Sequence, residues 1–441
     1  MTLTELKKKI EDCGVVGAGG AGFPSAFKYS EDADTLIINA AECEPLIYTD
    51  YYILKTELSK VSAAAEVVMD ACKMTIGYLS LKSHTAERLG FSDGELIGNK
   101  LRVKVLPNVY PMGDEIILIY ETCKKVIAPG ALPISEGVIV NNVETLYNIY
   151  NAVYGGEAVT EKWLTIGGEV EKPLVIKAYI GTPVSELFSK LNIEIPDGYA
   201  LIDGGPAMGN IVNPATAVIT KTTKALLILP KTAPAVAKKI MSTETALKHA
   251  ASCCCSCSRC TDLCPRHLVG YSLEPHKIIR AANSGMIDPE LYKNAQLCSA
   301  CGICEIVACC NGLSPKRVYT VIKGLMAKNK IRYTHDGSEV KPYGEREYRM
   351  IPSDRFMMLL GVKKYDKMPE YLKNFEYMPE RAELKMKWHV GAPATPKVKA
   401  GDFVCRGDII GKASDGISAN IHSPIDGKVI SADKMQVVIG N

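Results

Sequence analysis

Eleven of the sixteen cysteines in this 441-residue chain fall between residues 253 and 310. No other feature restricts the fold as tightly, because thiols at that density must pair or hold metal. In a long chain of intracellular composition, clustering favours metal over disulfides. The first group, "CCCSCSRCTDLCPR", carries Cys254, Cys257, Cys260 and Cys264 as C-x2-C-x2-C-x3-C, with Pro265 next. This is the run that holds a [4Fe–4S] cluster. Two intervening residues let the chain curl round a compact cube, and the proline turns it away. The second group, "CSACGICEIVACC", repeats the spacing with Cys298, Cys301 and Cys304. Cys309 then follows after four residues, and Cys310 stands where the first run has proline. In two-cluster ferredoxins the fourth cysteine of each run serves the other cluster. The pattern thus predicts one cluster on Cys254, Cys257, Cys260 and Cys309, and another on Cys298, Cys301, Cys304 and Cys264. Cys310 competes with Cys309 as the final ligand. Structural zinc pairs two C-x2-C knuckles through four ligands, a poor match to two triplets plus singles. Cys253 and Cys255 read as bystanders, and His267 and His276 as surface or capping residues.

The remaining composition is that of a globular protein, 47% hydrophobic and 23% charged with a net charge of +3. That balance gives no reason to expect nucleic acid or an acidic membrane surface as partner. The apolar runs "ALLILP" and "IILIY" are strand-sized, so no direct membrane span is expected. The opening "MTLTELKKKIEDCG" has no signal-peptide core, which points to a cytoplasmic protein. Any membrane or compartment association would come through partners. The length calls for several domains.

Near the start, "GVVGAGGAGFPSAFK" places Gly17, Gly19 and Gly22 as G-x-G-x-x-G, the dinucleotide fingerprint. That fingerprint needs a strand before it and an uninterrupted helix after it. Here Leu3, Leu6 and Ile10 have helical spacing ahead of the loop, and Pro24 follows at once. A nicotinamide Rossmann pocket is therefore a poor fit, although glycines still let backbone N–H groups approach a phosphate or a flat ring. Further on, "TLIINAAECEP" is a buried strand running into Asn39, Glu42 and Glu44. "VYPMGDEIILI" sets Gly113, Asp114 and Glu115 before an apolar helix or strand, and "GVIVNNVETLYNIYNAV" is a strand ending in Asn141 and Asn142 before a helix.

Together "GAGGAGFPSAFK", "NAAECEP", "YPMGDE" and "VNNVETL" resemble the flavin-binding domain of the NADH-oxidising subunit of respiratory complex I. They resemble the RnfC/PduS family more closely. The resemblance implies an FMN site lined by Gly17, Gly19, Gly20, Gly22, Lys28, Asn39, Gly113, Asn141, Asn142 and Thr145, with Glu44 and Glu115 towards NADH. Ala41 stands where complex I carries an acidic residue, and the adjacent Glu42 is the nearer substitute. The domains implied are an FMN/NADH-binding α/β domain (1–155), a β-grasp SLBB domain (156–232), a ferredoxin-like domain with two clusters (233–330), a connector (331–384) and a barrel-sandwich, biotinyl-like domain (385–441). The fold class is thus multidomain α/β, with a Rossmann-like FMN domain and a helical dicluster domain. "GGPAMG", residues 204–209, reads as a tight loop, and residues 331–384 as an extended connector or partner-docking segment. The C-terminal hairpin "SPIDGKV" lacks a carrier's flanking methionine–lysine–methionine, so no attached biotin or lipoate is expected. The module is last here, the PduS-like order, whereas RnfC carries it first.

The activity implied is an NADH dehydrogenase of diaphorase type. Hydride passes from NADH to FMN, and single electrons then pass through two [4Fe–4S] clusters to a redox partner protein in a larger complex. A methylenetetrahydrofolate reductase or Rnf assembly is one such setting. The alternatives are a PduS-type cobalamin reductase and a non-catalytic ferredoxin-like carrier. The acceptor, the choice of NADH over NADPH and the oligomeric state are not encoded in any motif.

Overall fold

The computed structural model describes residues 1–284 and 289–440. In the N-terminal domain the elements run α1 (Leu3–Asp12), β1 (Thr35–Asn39), α2 (Thr49–Ala71), β2 (Ile76–Lys82), α3 (Ser83–Leu89), β3 (Leu96–Ile97), β4 (Leu101–Leu106), β5 (Val109–Tyr110), α4 (Glu115–Cys123), β6 (Val138–Asn142) and α5 (Val143–Tyr150). Thr2 and Glu5 form a capping box that starts α1, and Leu6 and Ile10 bury its inner stripe. The sheet order is β3-β4-β2-β1-β6, parallel except for β3. Near-continuous apolar strands such as "TLIIN" suit a sheet covered on both faces. The chain leaves β1 for β2 on one side, while β6 arrives on the other. Their carboxyl ends form a topological switch point, where open α/β sheets place ligands. Asn39 and Asn142 are register partners there.

A second domain holds β7 (Glu161–Gly168), β8 (Leu174–Tyr179), α6 (Val184–Lys190), β9 (Tyr199–Asp203), β10 (Asn210–Val212) and β11 (Ala225–Pro230). Leu164, Ile176, Leu187, Phe188 and Ile228 fill its core. The cysteine module follows on short helices: α7 (Pro234–Ile240), α8 (Thr243–Cys253), α9 (Arg259–Asp262), α10 (Pro265–Leu268), α11 (Pro275–Ser284), α12 (Pro289–Lys293) and α13 (Pro315–Lys328).

Residues 331–384 depart from the expected extended connector, because they fold back as a strap. β12 (Ile351–Pro352) pairs with β5, and α14 (Ser353–Leu360) stacks Phe356 on Tyr110 with ring centroids 3.9 Å apart. β13 (Glu370–Tyr371) then adds to the edge of β8, giving the order β10-β9-β11-β7-β8-β13. Two-residue strands leave no periodicity, so the sequence hides this pairing.

The C-terminal elements are β14 (Arg381–Lys385), β15 (Thr395–Pro396), β16 (Phe403–Val404), β17 (Ile409–Lys412), β18 (Ile421–His422), β19 (Gly427–Ala432) and β20 (Gln436–Gly440). They form two small sheets, β14-β20-β19-β16 and β15-β17-β18. Met386 is fully buried in the core and serves packing. Among the described residues, no helix is long and apolar enough to cross a membrane.

Candidate functional site

α1 delivers the chain into the glycine loop. The Gly17 N–H donates to the Phe23 carbonyl at 2.8 Å, and that of Gly22 to the Gly17 carbonyl at 3.2 Å, folding the loop on itself. The Ala18 N–H donates to Thr145 Oγ1 on α5 at 3.0 Å, which ties the loop to the switch point. At the exposed tip, the N–H groups of Gly19, Gly20 and Ala21 have no protein acceptor among the described residues. Gly20 sits at φ 112°, where a side chain would be strained, and nothing lies within 4 Å of a Cβ built there. Unspent N–H groups on an open glycine backbone suit an anionic oxygen such as a phosphate.

The loop is braced from two other domains. Lys221 Nζ donates to the Gly14 carbonyl at 2.6 Å and the Asn420 carbonyl at 3.1 Å. Burial lowers its pKa to about 7. Val390 N–H donates to the Gly22 carbonyl at 3.0 Å. His422, lowered to about 3 chiefly by burial, is neutral at physiological pH and donates through Nε2 to the Asp12 carbonyl at 2.8 Å.

The three asparagines at the strand ends spend their amides on protein. Asn39 donates to the Gly113 carbonyl at 3.0 Å and accepts from the Ala41 N–H at 3.2 Å. Asn141 is buried and donates to the Tyr29 hydroxyl at 2.8 Å. Asn142 caps α5 through the Glu144 N–H and donates to Asp50 at 2.7 Å. Lys28 donates to the Val140 carbonyl at 2.8 Å, and its ammonium lies 3.5 Å from Glu115.

Behind them lies a buried ionic cluster that sequence reasoning missed apart from Glu42. Glu42 accepts from the Thr49 hydroxyl at 2.8 Å and the Asp50 N–H at 3.1 Å. Lys224 reaches in from the second domain, 2.7 Å from Asp50 and 3.6 Å from Glu42. Burial, then the Asp50 charge, pushes the Glu42 carboxyl up to about 7. Burial opposes the Lys224 charge, yet Asp50 and Glu42 raise its pKa above the usual lysine range. Deeper still, Lys162 of β7 pairs with Glu144 of α5, each side chain 1% exposed. The available signal was "KTTKALLILP", a lysine directly ahead of a wholly apolar strand.

Glu44 does not stand free to face a nicotinamide, as the resemblance implied. It accepts from the Tyr110 hydroxyl at 3.0 Å and from the Ala207 and Met208 N–H groups at 2.9 and 3.3 Å. The "GGPAMG" loop is its cradle, and a Cβ at Gly205 would run into the carboxylate.

The cysteines gather round two cavities. An inner one is lined by Cys264, Cys298, Cys301 and Cys304, with Tyr319 and Lys316 alongside. An outer one is lined by Cys254, Cys257, Cys260 and Cys309, with Cys255 and Cys310 also on its wall. Cys309 faces Cys260, whereas the Sγ atoms of Cys310, Cys255 and Cys257 lie within 4.8 Å of one another at the surface. Four soft thiols per cavity match the donor chemistry of an iron–sulfur cube. His276 only meets the Thr261 hydroxyl at 2.7 Å, and His267 stacks on Tyr343.

The inner cavity abuts the switch point. Asp114 caps α4 and receives Arg266 through two contacts, Nε to Oδ2 and Nη2 to Oδ1, both at 3.0 Å. Arg266 lies two residues past Cys264. Such a paired contact fixes orientation as well as distance. The Tyr110 hydroxyl, already against Glu44, also lies 2.7 Å from the Cys301 carbonyl. A wider polar cleft of about 580 Å³ opens at the far end of α5, but Lys177 is held by Tyr147 and Arg406 by Glu161 there.

Known proteins share this layout. Residues 10–151 match the Nuo51 FMN-binding domain, residues 253–314 a 4Fe-4S dicluster domain, and residues 370–441 the RnfC barrel sandwich hybrid domain. The cobalamin reductase PduS of Salmonella typhimurium is 35% identical over 99% of this chain and 96% of its own length. The chain belongs to the RnfC/PduS family. The RnfC-type component of the ion-translocating oxidoreductase complex of Erwinia tasmaniensis is 31% identical over 61% of the chain and 33% of its own length. An NAD+-reducing [NiFe]-hydrogenase structure is 19% identical, covering 76% of this chain and 64% of its own, with a TM-score of 0.46. As an RnfC/PduS member the protein is an oxidoreductase that carries flavin and iron–sulfur cofactors for electron transfer.

Proposed function

We propose that the protein oxidises NADH at an FMN seated on the glycine loop and sends electrons singly through two [4Fe–4S] clusters to a separate acceptor. When bound, the flavin supplies the exchange between a hydride and single electrons. In this reading the N–H groups of Gly19, Gly20 and Ala21 take the flavin phosphate, while Gly17 and Gly22 shape the loop and Thr145 holds it. Asn39, Asn141, Asn142 and Gly113 form the floor, and the Lys28–Glu115 pair the rim. Glu42 and Glu44 act from behind, through Lys224 and Tyr110. Cys264, Cys298, Cys301 and Cys304 would hold the cluster nearer the flavin, and Cys254, Cys257, Cys260 and Cys309 the one nearer solvent.

The observation carrying this order is the two-point contact between Arg266, beside the inner thiols, and Asp114, at the strand-end loop. Exposure adds to it, since Cys264 and Cys304 are buried while Cys257 is exposed. A second reading makes cobalamin the acceptor, favoured by the full-length likeness to PduS.

The test is anaerobic purification with assay of flavin, iron, sulfide and viologen reduction. About one FMN and about eight irons per chain are expected from two cubes, with NADH preferred to NADPH. Absence of flavin, or about four irons, would overturn the reading. Reduction of cob(II)alamin without any added protein would select the second one.

A further inference from the structure

On α13, Val318, Val321, Ile322 and Leu325 fall at helical spacing on one face, yet that face is not fully covered. Val321 is 37% exposed, Leu325 55%, and Ile331 just beyond the helix 44%. Leu247 of α8 closes the other side, giving an apolar groove of about 480 Å³. Its floor is also a wall of the outer cysteine cavity. Leu247, Val318 and Ile322 pack in the same small cluster as Cys254, and Cys254 lines that cavity.

The surroundings are positively charged. Residues 243–331 contain eleven lysines and arginines against six aspartates and glutamates, in a chain whose total is only +3. Lys328 and Lys330 are exposed between Leu325 and Ile331, and Lys248 is exposed beside Leu247. An apolar anchor point ringed by one sign of charge steers and then seats a partner of the opposite sign.

We propose that this groove is the landing site of the electron acceptor, an acidic protein that inserts an apolar side chain and so stands over the outer cysteine cavity. The inference rests on the electron-transfer reading above. It commits to a protein rather than a small molecule, because an apolar groove with a cationic rim offers contacts that a compact dye does not need. The step balances as one NADH giving NAD+, one proton and two electrons, with each of two one-electron acceptor molecules taking one.

The test uses the holoprotein with three acceptors: the soluble domain of cytochrome b5, which is acidic, cytochrome c, which is basic, and viologen. Leu325→Gln removes the anchor without changing charge, and Lys328→Glu with Lys330→Glu reverses the rim. Each is expected to lower kcat/KM for cytochrome b5 about tenfold while leaving viologen reduction unchanged. The double lysine variant should instead speed cytochrome c. Raising NaCl from about 50 to about 500 mM should slow cytochrome b5 alone, since surface charge is screened over that range. Undiminished cytochrome b5 reduction in both variants, or equal loss with viologen, would overturn the proposal. So would a wild-type dimer that Leu325→Gln dissolves, which would make a second copy the occupant. If wild type reduces no viologen at all, the fault lies with the electron-transfer reading and not with the groove.

Discussion

Replacing Lys162 by methionine should destabilise the protein strongly. Lys162 and Glu144 are each 1% exposed, and they join β7 of the second domain to the first turn of α5. Without the ammonium, the Glu144 carboxylate keeps only the Trp163 N–H at 3.1 Å in an otherwise dry site. Breaking a buried ion pair from one side costs about 3–5 kcal/mol. For domains of this size each kcal/mol lowers Tm by about 2–4 °C, so a fall of about 6–20 °C is expected. Scanning calorimetry under anaerobic conditions gives the number. The decisive variant is Glu144→Gln with Lys162→Met, which removes both charges yet keeps an acceptor for the Trp163 N–H. It should recover at least half of the loss, because the penalty is the orphaned charge rather than the missing attraction. A Lys162→Met protein melting within about 2 °C of wild type, or a double variant no better than the single one, would refute the reasoning.

Three further outcomes follow from the site. Glu42 is raised from 4.5 to about 7, so the folded protein holds its proton more tightly than the unfolded chain. Stability should therefore fall as pH rises from about 4.5 towards 7, by up to about 1.4 kcal/mol per pH unit, and Glu42→Gln should remove that slope in melting curves between pH 5 and 8. Thr145→Val leaves the Ala18 N–H unpaired, at about 1–3 kcal/mol, and flavin titration should show Kd raised at least about tenfold. Cys309→Ser should drop iron from about eight to about four per chain, while Cys310→Ser leaves it unchanged, as read by colorimetric iron and sulfide assay.

The parts of this protein legible in sequence are those whose chemistry is local. A cluster-binding run is written within eleven residues, from Cys254 to Cys264, and the "TLIIN" and "VIVNN" strands announce their polar ends directly. Lys224, by contrast, meets Asp50 across 174 positions, and Arg266 meets Asp114 across 152. Pairings at that separation are set by how domains dock, and no periodicity records them. The asparagines show the same limit from the other side. Their place at the strand ends was readable, but the partners that occupy their amides, Tyr29, Asp50 and Gly113, are fixed only by packing.

The bracing of the glycine loop also sets an order of biosynthesis. The loop at residues 14–22 is held by Lys221, Val390, Asn420 and His422, the last of them some four hundred residues later in the chain. At about 5–20 residues per second, a ribosome needs about 20–80 s to reach them after the loop emerges. The nascent loop thus waits, unsupported, while the cysteine module is already outside the exit tunnel. Flavin capture then belongs to the end of synthesis, after the thiols have met iron, and a chain stopped short of residue 388 would mature its metal centres without a finished cradle for FMN.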